Sequence, residues 1–94
     1  MKYDQILWNA EKDQQLQISE GRLGIGLSEC AIAIEEGCIL DDLPHPTRAN
    51  QRLFILEIRN YAYVVPYVFE GNDVFLKTVF PSRKHAAKYL RKKS

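Results

Sequence analysis

The chain has 94 residues, of which 46% are hydrophobic and 27% are charged. This length suits one domain, so residues 1–94 are expected to fold as a single unit without a spacious internal pocket. No apolar run approaches the roughly 20 residues of a membrane helix, and the polar N-terminus lacks the apolar core of a signal peptide. We therefore expect a cytoplasmic protein that does not insert into a membrane.

Charge is unevenly distributed along the chain. Thirteen Lys and Arg residues stand against twelve Asp and Glu residues, yet residues 77–94 hold seven of the basic residues and no acidic one. The residues before position 77 therefore carry six basic and twelve acidic side chains. A basic end of this kind is typical of a protein that binds a polyanion.

The first half of the sequence predicts a short strand and two helices. Residues 3–8 are predicted as the strand, and Asn9, a favoured N-cap residue, precedes a helix predicted over residues 10–19. Ser28 is predicted to cap the second helix, and Gly37 is predicted to end it.

A second short strand and an irregular segment are predicted next. Residues 38–40 are predicted as the strand. The segment 41–50 contains Pro44 and Pro46, which interrupt regular backbone hydrogen bonding. We therefore expect residues 41–50 to have no regular structure.

Three strands of a meander are predicted in the second half of the chain. Residues 53–59 alternate between apolar and mixed positions, and residues 61–69 are aromatic and β-branched throughout, which is typical of a central strand. Pro66 predicts a bulge or an unpaired edge at its position. Residues 74–80 form the predicted last strand. The joining turns are predicted at Asn60 and at residues 70–73.

The last predicted element is a basic helix that Pro81 and Ser82 start and that runs to Lys92. Together these elements predict an α+β fold. It would contain a short N-terminal strand, two helices, a three- to four-stranded meander and the C-terminal helix. The helices are expected to pack on one face of an antiparallel sheet.

Two basic residues near the start of the last helix are candidates for anion binding. Lys77 lies in an otherwise apolar predicted strand, and Arg83 lies in the first turn of the helix that follows. The two side chains can converge on one anion close to the helix amides. The structural alternative for Lys77 is an ion pair with Glu57, the only acidic residue in the adjoining strands.

The last helix also carries a row of polar candidates. Lys84 and Lys88 form a stripe that points to solvent, and His85 titrates near neutrality, so it can act as a general acid or base. The structural alternative is that the lysines complement the helix dipole and aid solubility, and that His85 is a surface residue.

Several other side chains have packing as their simplest role. Tyr61, Tyr63 and Tyr67 share one strand face, where they either stack on bases or belong to the core. Cys30 and Cys38 lack the partners of a zinc site and are expected to be small hydrophobic residues. No phosphate loop, dinucleotide fingerprint or nucleophile elbow is present, so we expect no cofactor and no metal.

Three segments, in this order, resemble BrnT-type toxins. The segment from Trp8 to Lys12 is similar to their opening Trp-Asp-Pro-x-Lys pattern. The segment from Gly24 to Glu29 lies where that family has Gly-Val-Ser-Phe-Glu-Glu. The segment from Lys77 to Arg83, followed by Ala86 and Tyr89, resembles the closing strand, the Ser-Ala-Arg turn and the final helix of the family.

This resemblance implies a RelE/ParE-like fold and a type II toxin, a metal-independent ribonuclease that cleaves mRNA. A co-encoded antitoxin with a DNA-binding domain would neutralise it in a hetero-oligomer, and ribosome association stays open. In this interpretation Arg83 and Lys77 bind the scissile phosphate, Tyr89, Lys84 or His85 assists, and Glu57 accepts a proton. The residues assigned to RNA binding are Lys84, His85, Lys88 and Arg59.

Two other functions are compatible with the same sequence. One is a RelE-like module that binds nucleic acid or protein without catalysis, and the other is a gyrase-directed toxin of the ParE type. Catalysis is favoured if Lys77, Arg83 and Tyr89 face one groove. The binding module is favoured if Lys77 is buried against Glu57.

Overall fold

A computed structural model describes residues 3–17 and 25–90 of the chain. In that part, one sheet of six strands has helices on both of its faces. The predicted α+β class is confirmed. The helices are α1 (Ala10–Gln17), α2 (Leu27–Glu35) and α3 (Arg83–Leu90). The strands are β1 (Ile6–Trp8), β2 (Ile39–Pro44), β3 (Arg52–Ile58), β4 (Tyr61–Glu70), β5 (Asp73–Leu76) and β6 (Phe80–Pro81).

The sheet is mixed rather than antiparallel. Its strand order is β1-β5-β4-β3-β2, and β6 also pairs with β4. The pair β1 and β5 is parallel, whereas the other pairs are antiparallel. The expectation of an antiparallel sheet is therefore wrong at β1. A parallel neighbour requires a long connection, and two helices and three strands separate β1 from β5 in the sequence.

Helices cover both faces of the sheet, so the expectation that they share one face is wrong for α3. On one face, α2 packs over Phe54 and Leu56 of β3. On the other, α3 packs over Ile55 of β3 and Val64 of β4. Because alternate residues of these strands point to opposite sides and both sides are apolar, each face needs a covering layer.

The first two helices are capped in different ways. The side chain of Asn9 accepts a hydrogen bond from the Lys12 N–H at 2.8 Å, which confirms the predicted cap of α1. Ser28 does not cap α2, because that helix begins at Leu27 with Gly26 at the N-cap position. The cap comes instead from Asp13 of α1, whose carboxylate accepts the N–H of Leu27 at 2.7 Å. The predicted last two residues of α1 lie outside the described residues.

Strand β2 occupies part of the segment that was expected to be irregular. Its pairing with β3 continues through Asp41 and Asp42 to Pro44, with a register shift between Ile39 and Asp41. Proline is tolerated here because β2 lies at the edge of the sheet and Pro44 is its last residue. Gly37 does end α2 as predicted, with a positive φ of 83°.

Strands β3 and β4 form a tight hairpin. Ile58 pairs with Tyr61, so only Arg59 and Asn60 form the connection. Both have positive φ, 54° and 64°, which is the backbone geometry of a two-residue type I′ turn. Arg59 was predicted as the last residue of the strand, and that prediction is wrong by one residue.

The predicted strand over residues 74–80 is divided into β5 and β6 by the residues 77–79. The N–H of Lys77 donates to the Pro66 carbonyl at 2.8 Å. A strand residue directs its N–H and C=O to the same side, and Pro66 has no N–H to complete the ladder there. On its other side Pro66 stays in register with Leu53 of β3 without a bulge, so the predicted interruption at Pro66 is confirmed only on the side of β4 that faces β5 and β6. Lys77 lies outside any strand.

The remaining predictions on packing agree with the structure. Tyr63 and Tyr67 are buried in the core under α2, so these two rings are not available to stack on bases. Cys30 is buried, Cys38 is half-buried, and both are free thiols. Burial raises the pKa of Cys30 to about 12, so it stays protonated at neutral pH. Within the described ranges, no helix is long and apolar enough to span a membrane.

Candidate functional site

A cluster of polar side chains connects α3 with the edge strand β2. We call it the α3 cluster, and it consists of Asp41, Ser82, His85, Lys88 and Tyr89. The ring of Tyr89 packs on the apolar group of Ile55, Ala62 and Val64, and its hydroxyl donates to the carboxylate of Asp41. This bond anchors the C-terminal half of α3 to β2.

The bond between Tyr89 and Asp41 sets the charge of both groups. The Tyr89 hydroxyl and the N–H of Asp42, at 2.8 Å, stabilise the charged carboxylate and lower the pKa of Asp41. The same bond raises the pKa of Tyr89. At neutral pH the carboxylate is therefore ionised, and the phenol keeps its proton.

Ser82 holds the imidazole of His85. Its Oγ accepts the backbone N–H of His85 at 3.2 Å and lies 2.7 Å from Nδ1 of the same residue. The first contact caps α3. The second contact fits either tautomer, because the Ser82 hydroxyl can donate to Nδ1 or accept from it. In the tautomer whose Nδ1 donates to Ser82, Nε2 has a free lone pair.

His85 is uncharged at neutral pH. Partial burial lowers its pKa, and the ammonium groups of Lys84 and Lys88 lower it further, while Asp41 opposes this effect. The rings of His85 and Tyr89 are nearly parallel, at 5°, with centroids 6.3 Å apart. The Nζ atom of Lys88 lies 5.2 Å from the centroid of the Tyr89 ring. The neutral imidazole thus lies between the hydroxyl of Ser82 and the ring of Tyr89, and Lys88 contacts the Tyr89 ring.

Arg83 lies on the same helix but on another flank. It is exposed at the first position of α3, and its guanidinium has no hydrogen bond or ion pair with another residue of the ranges 3–17 and 25–90. Residues i and i+2 of a helix are about 200° apart around its axis. Arg83 and His85 have this spacing, so they lie on opposite sides of the exposed stripe that Lys84 and Lys88 form. Lys84 and Lys88 thus lie on the exposed side of α3, between exposed Arg83 and half-buried His85.

Lys77 lies near the other edge of the sheet. Its ammonium is 5.5 Å from the centroid of the Phe75 ring, and it lines a depression of about 480 Å³ with Lys12 and Gln15 of α1. Strand β5, which precedes Lys77, is three strand spacings from β2, or about 14 Å. Lys77 therefore does not join Tyr89 in one groove. It is exposed, so it is not buried against Glu57 either.

Glu57 and Arg59 lie at the hairpin end of β3, beside α2. A guanidinium nitrogen of Arg59 is 3.0 Å from the carboxylate of Glu29. Glu57 lines a shallow depression with Ile32 and Cys38, and none of the hydrogen bonds among the described residues joins its carboxylate to the α3 cluster. Of the eight predicted site residues, the structure brings together Lys84, His85, Lys88 and Tyr89, with Arg83 on the flank.

Sequence reasoning missed two members of the α3 cluster. Ser82 was predicted only to start the helix, although its spacing of three residues from His85 is the spacing of a capping contact. Asp41 was placed in an irregular segment, and it is 48 residues from Tyr89 in the sequence. No local pattern indicates a pair so far apart.

Comparison of the chain with protein-family models, with curated proteins and with solved structures gives no match in any of the three.

Proposed function

We propose that the protein is the toxin of a cytoplasmic type II toxin–antitoxin system and that it cleaves mRNA at the exposed face of α3. The observation that carries this proposal is the neutral imidazole of His85, which Ser82 orients and which two lysines flank. RNA cleavage through the 2′-hydroxyl needs a proton acceptor and positive charge near the phosphate. Both lie on this one helix.

The basic side chains bind the RNA backbone in this proposal. Lys84 and Lys88 are exposed and supply general attraction for phosphates. Arg83, whose guanidinium is free within the described part of the chain, can contact one phosphate with two parallel hydrogen bonds. Arg59 is not part of this surface, since it pairs with Glu29 beside α2.

His85 is the proton acceptor in the proposed reaction. With Nδ1–H donated to Ser82, Nε2 takes the proton of the 2′-hydroxyl. The 2′-oxygen then bonds to phosphorus, and the bond from phosphorus to the 5′-oxygen breaks. The leaving oxygen takes a proton from the imidazolium or from solvent, and the ammonium groups stabilise the charge on the phosphoryl oxygens.

The other candidates have different roles from those first assigned to them. Tyr89 stays protonated and donates a hydrogen bond to Asp41. It therefore orients the helix and the imidazole of His85 and does not exchange protons with RNA. Lys77 and Glu57 have no role in this reaction, because Lys77 lies near the opposite sheet edge and Glu57 lies at the hairpin end. The proposed antitoxin, a DNA-binding protein in a hetero-oligomer, rests on the sequence resemblance alone.

The proposal is tested with purified protein and end-labelled RNA in the presence of a chelator. His85→Gln should lower the cleavage rate by about a hundredfold or more, because a general base contributes at least that factor. Arg83→Ala should weaken RNA binding and cleavage together. Cleavage products should carry a 2′,3′-cyclic phosphate. If His85→Gln cleaves RNA as fast as the unmodified protein, the assignment of His85 is wrong.

The rate should also depend on pH in a defined direction. The pKa of His85 is lowered, so the free base is populated from mildly acidic pH upwards. Cleavage by the unmodified protein should therefore rise with pH below neutrality and level off near it. A rate that rises only above neutrality would point to a different base.

A binding module without catalysis is the second candidate. The separation of Arg83 from His85 favours it, because the two side chains lie on opposite sides of the lysine stripe and do not converge on one phosphate. RNA binding that Lys84→Ala and Lys88→Ala weaken, without cleavage under any condition, would establish this function. Growth arrest with intact mRNA on induced expression would instead indicate a gyrase-directed toxin.

A further inference from the structure

The exposed side of α2 carries an isoleucine that is more than half exposed to solvent. Ile32 is 58% exposed, the largest exposure of any large hydrophobic residue in the described part of the chain. Its neighbours Ala31 and Ala33 are buried, so α2 packs on the core through those residues and Ile32 points away from the core. One exposed isoleucine is ordinary in itself, and the surroundings of Ile32 carry the inference.

Ile32 forms a ridge between two depressions. One of about 340 Å³ lies between α2 and β1, and Trp8, Ile6 and Ala31 contribute its apolar lining. The other, of about 240 Å³, lies between α2 and the end of β3, and Cys38 and Ile58 contribute to it. We call the ridge and the two depressions the α2 surface. The α2 surface thus has an apolar protrusion, Ile32, with a recess on each side of it.

The rim of the α2 surface is acidic. Glu29, Glu35, Glu36 and Glu57 line it, and Arg59 is the one basic residue among its lining side chains in the described structure. Arg59 is engaged by Glu29 at 3.0 Å. Within residues 3–17 and 25–90, the carboxylates of Glu35 and Glu36 have no ion pair or hydrogen bond. Unpaired acids around an apolar ridge are complementary to a basic, partly apolar ligand.

The spacing of the recesses suits a helix. They lie on opposite sides of α2 and are therefore separated by about one helix diameter, roughly 10 Å. Residues i and i+7 of a helix are also about 10 Å apart along its axis. A helix that crosses α2 can place one apolar side chain in each recess, and its flanking lysines or arginines can reach Glu35 and Glu36.

We propose that the α2 surface binds a basic amphipathic helix of another protein. A second copy of this chain does not fit through its own α2 surface, since a twofold contact would bring two acidic rims together. Nucleic acid is repelled by the same carboxylates. The proposal is independent of the ribonuclease, because α2 and α3 cover opposite faces of the sheet.

The test is an NMR titration of the isotope-labelled protein with a synthetic amphipathic helix of about 16 residues, or four turns. The probe carries leucines at i and i+7 and lysines beside them. A matched peptide keeps the leucines and replaces each lysine by glutamate. We expect the basic peptide to bind, with shifted amide resonances at Trp8, Ile32 and Cys38, and the acidic peptide not to bind.

Two variants locate the binding site. Ile32→Ser should weaken the basic peptide about tenfold, because it removes the apolar ridge, and Glu35→Lys with Glu36→Lys should weaken it at least as much. Glu70→Lys, at an exposed position at the end of β4, is the charge control and should leave affinity unchanged. Both peptides binding equally, shifts confined to α3, or affinity unchanged by Ile32→Ser would overturn the proposal. Self-association in sedimentation velocity that Ile32→Ser abolishes would also overturn it, in favour of a second copy.

Discussion

Helices α2 and α3 cover opposite faces of one sheet, and they are attached by different interactions. Five of the nine residues of α2 are buried, whereas none of the eight residues of α3 is. Helix α2 is held by apolar side chains that penetrate the core. Helix α3 is held by half-buried Ala86, Tyr89 and Leu90 and by the bond from Tyr89 to Asp41. Directional bonds also reach α2, from Asp13 at its N-terminus and between Glu29 and Arg59, but burial is its main attachment. In α3 the bond from Tyr89 also orients the polar side chains of the helix.

This contrast also separates the two surfaces chemically. The outer side of α2 is acidic and apolar, and that of α3 is basic with a neutral imidazole. Because fewer apolar atoms anchor α3, it is the helix expected to open first. The following predictions test how far the two helices differ.

The largest difference is expected for apolar side chains. Leu27→Ala in α2 should lower the free energy of unfolding by about 3 kcal/mol, because Leu27 is fully buried and its removal leaves a cavity. Leu90→Ala in α3 should cost about 1 kcal/mol, since Leu90 is only half-buried. Urea unfolding measures both. Equal losses would show that α3 is as firmly packed as α2.

The next difference concerns the N-terminal caps. Asp13→Ala should cost about 2 kcal/mol, because it removes a buried acceptor for the N–H groups of Leu27 and Ser28. Ser82→Ala removes a local cap of α3 and should cost about 1 kcal/mol. Hydrogen exchange can assign each loss to its helix. If the amides of α2 exchange as slowly in the Asp13→Ala variant as in the unmodified chain, the cap from α1 does not stabilise α2.

A smaller, pH-dependent effect is expected for Tyr89→Phe. The folded-state pKa of Asp41 is lowered, so its stabilisation is present above its unfolded value and is lost as pH falls through the folded value. The pKa of Tyr89 is raised, so its stabilisation is present below its unfolded value and is lost as pH rises through the folded value. Tyr89→Phe should reduce both dependences, measured by thermal unfolding from acidic to alkaline pH.

Asp41→Asn is the companion variant for that measurement. It keeps the size of the side chain and removes the charge, so it should also flatten the acid limb. If neither variant changes the profile, the bond between Tyr89 and Asp41 does not contribute in solution.

The smallest effect is expected for a tyrosine in the core beneath α2. Among the described residues the buried hydroxyl of Tyr63 has no hydrogen-bond partner, so Tyr63→Phe should change the stability by about 0 to 0.5 kcal/mol. Tyr67→Phe is the matched control, because the Tyr67 hydroxyl donates to Asp42 at 2.8 Å and its loss should cost about 1 kcal/mol. Urea unfolding compares the two. An equal loss for both would indicate a partner for Tyr63 in solution.

Much of the local structure could be predicted from the sequence. The Asn9 cap, the end of α2 at Gly37 and the unpaired edge at Pro66 each depend on the chemistry of one residue and its near neighbours. The polar row Lys84, His85 and Lys88 follows from helical spacing in the same way. Predictions of this kind need no knowledge of distant residues.

Other predictions failed because a distant residue decided the outcome. Ser28 has a good capping side chain, but Asp13 takes that role from another helix. The segment at Asp41 contains prolines nearby, yet pairing with β3 makes it a strand. Lys77 and Tyr89 belong to adjacent predicted elements, and they separate because the chain reaches β6 on one side of β4 and α3 then crosses toward β2.

The sequence by itself determined the α+β class, the position of the basic helix in the chain and the polar residues on its surface. Interactions within about four residues of one another are enough to specify these features. Only the tertiary structure decided which face each helix covers, that β1 runs parallel to β5, and that Asp41 holds Tyr89 beside His85. These outcomes depend on contacts between segments far apart in the chain, where burial of both sheet faces outweighs local preference.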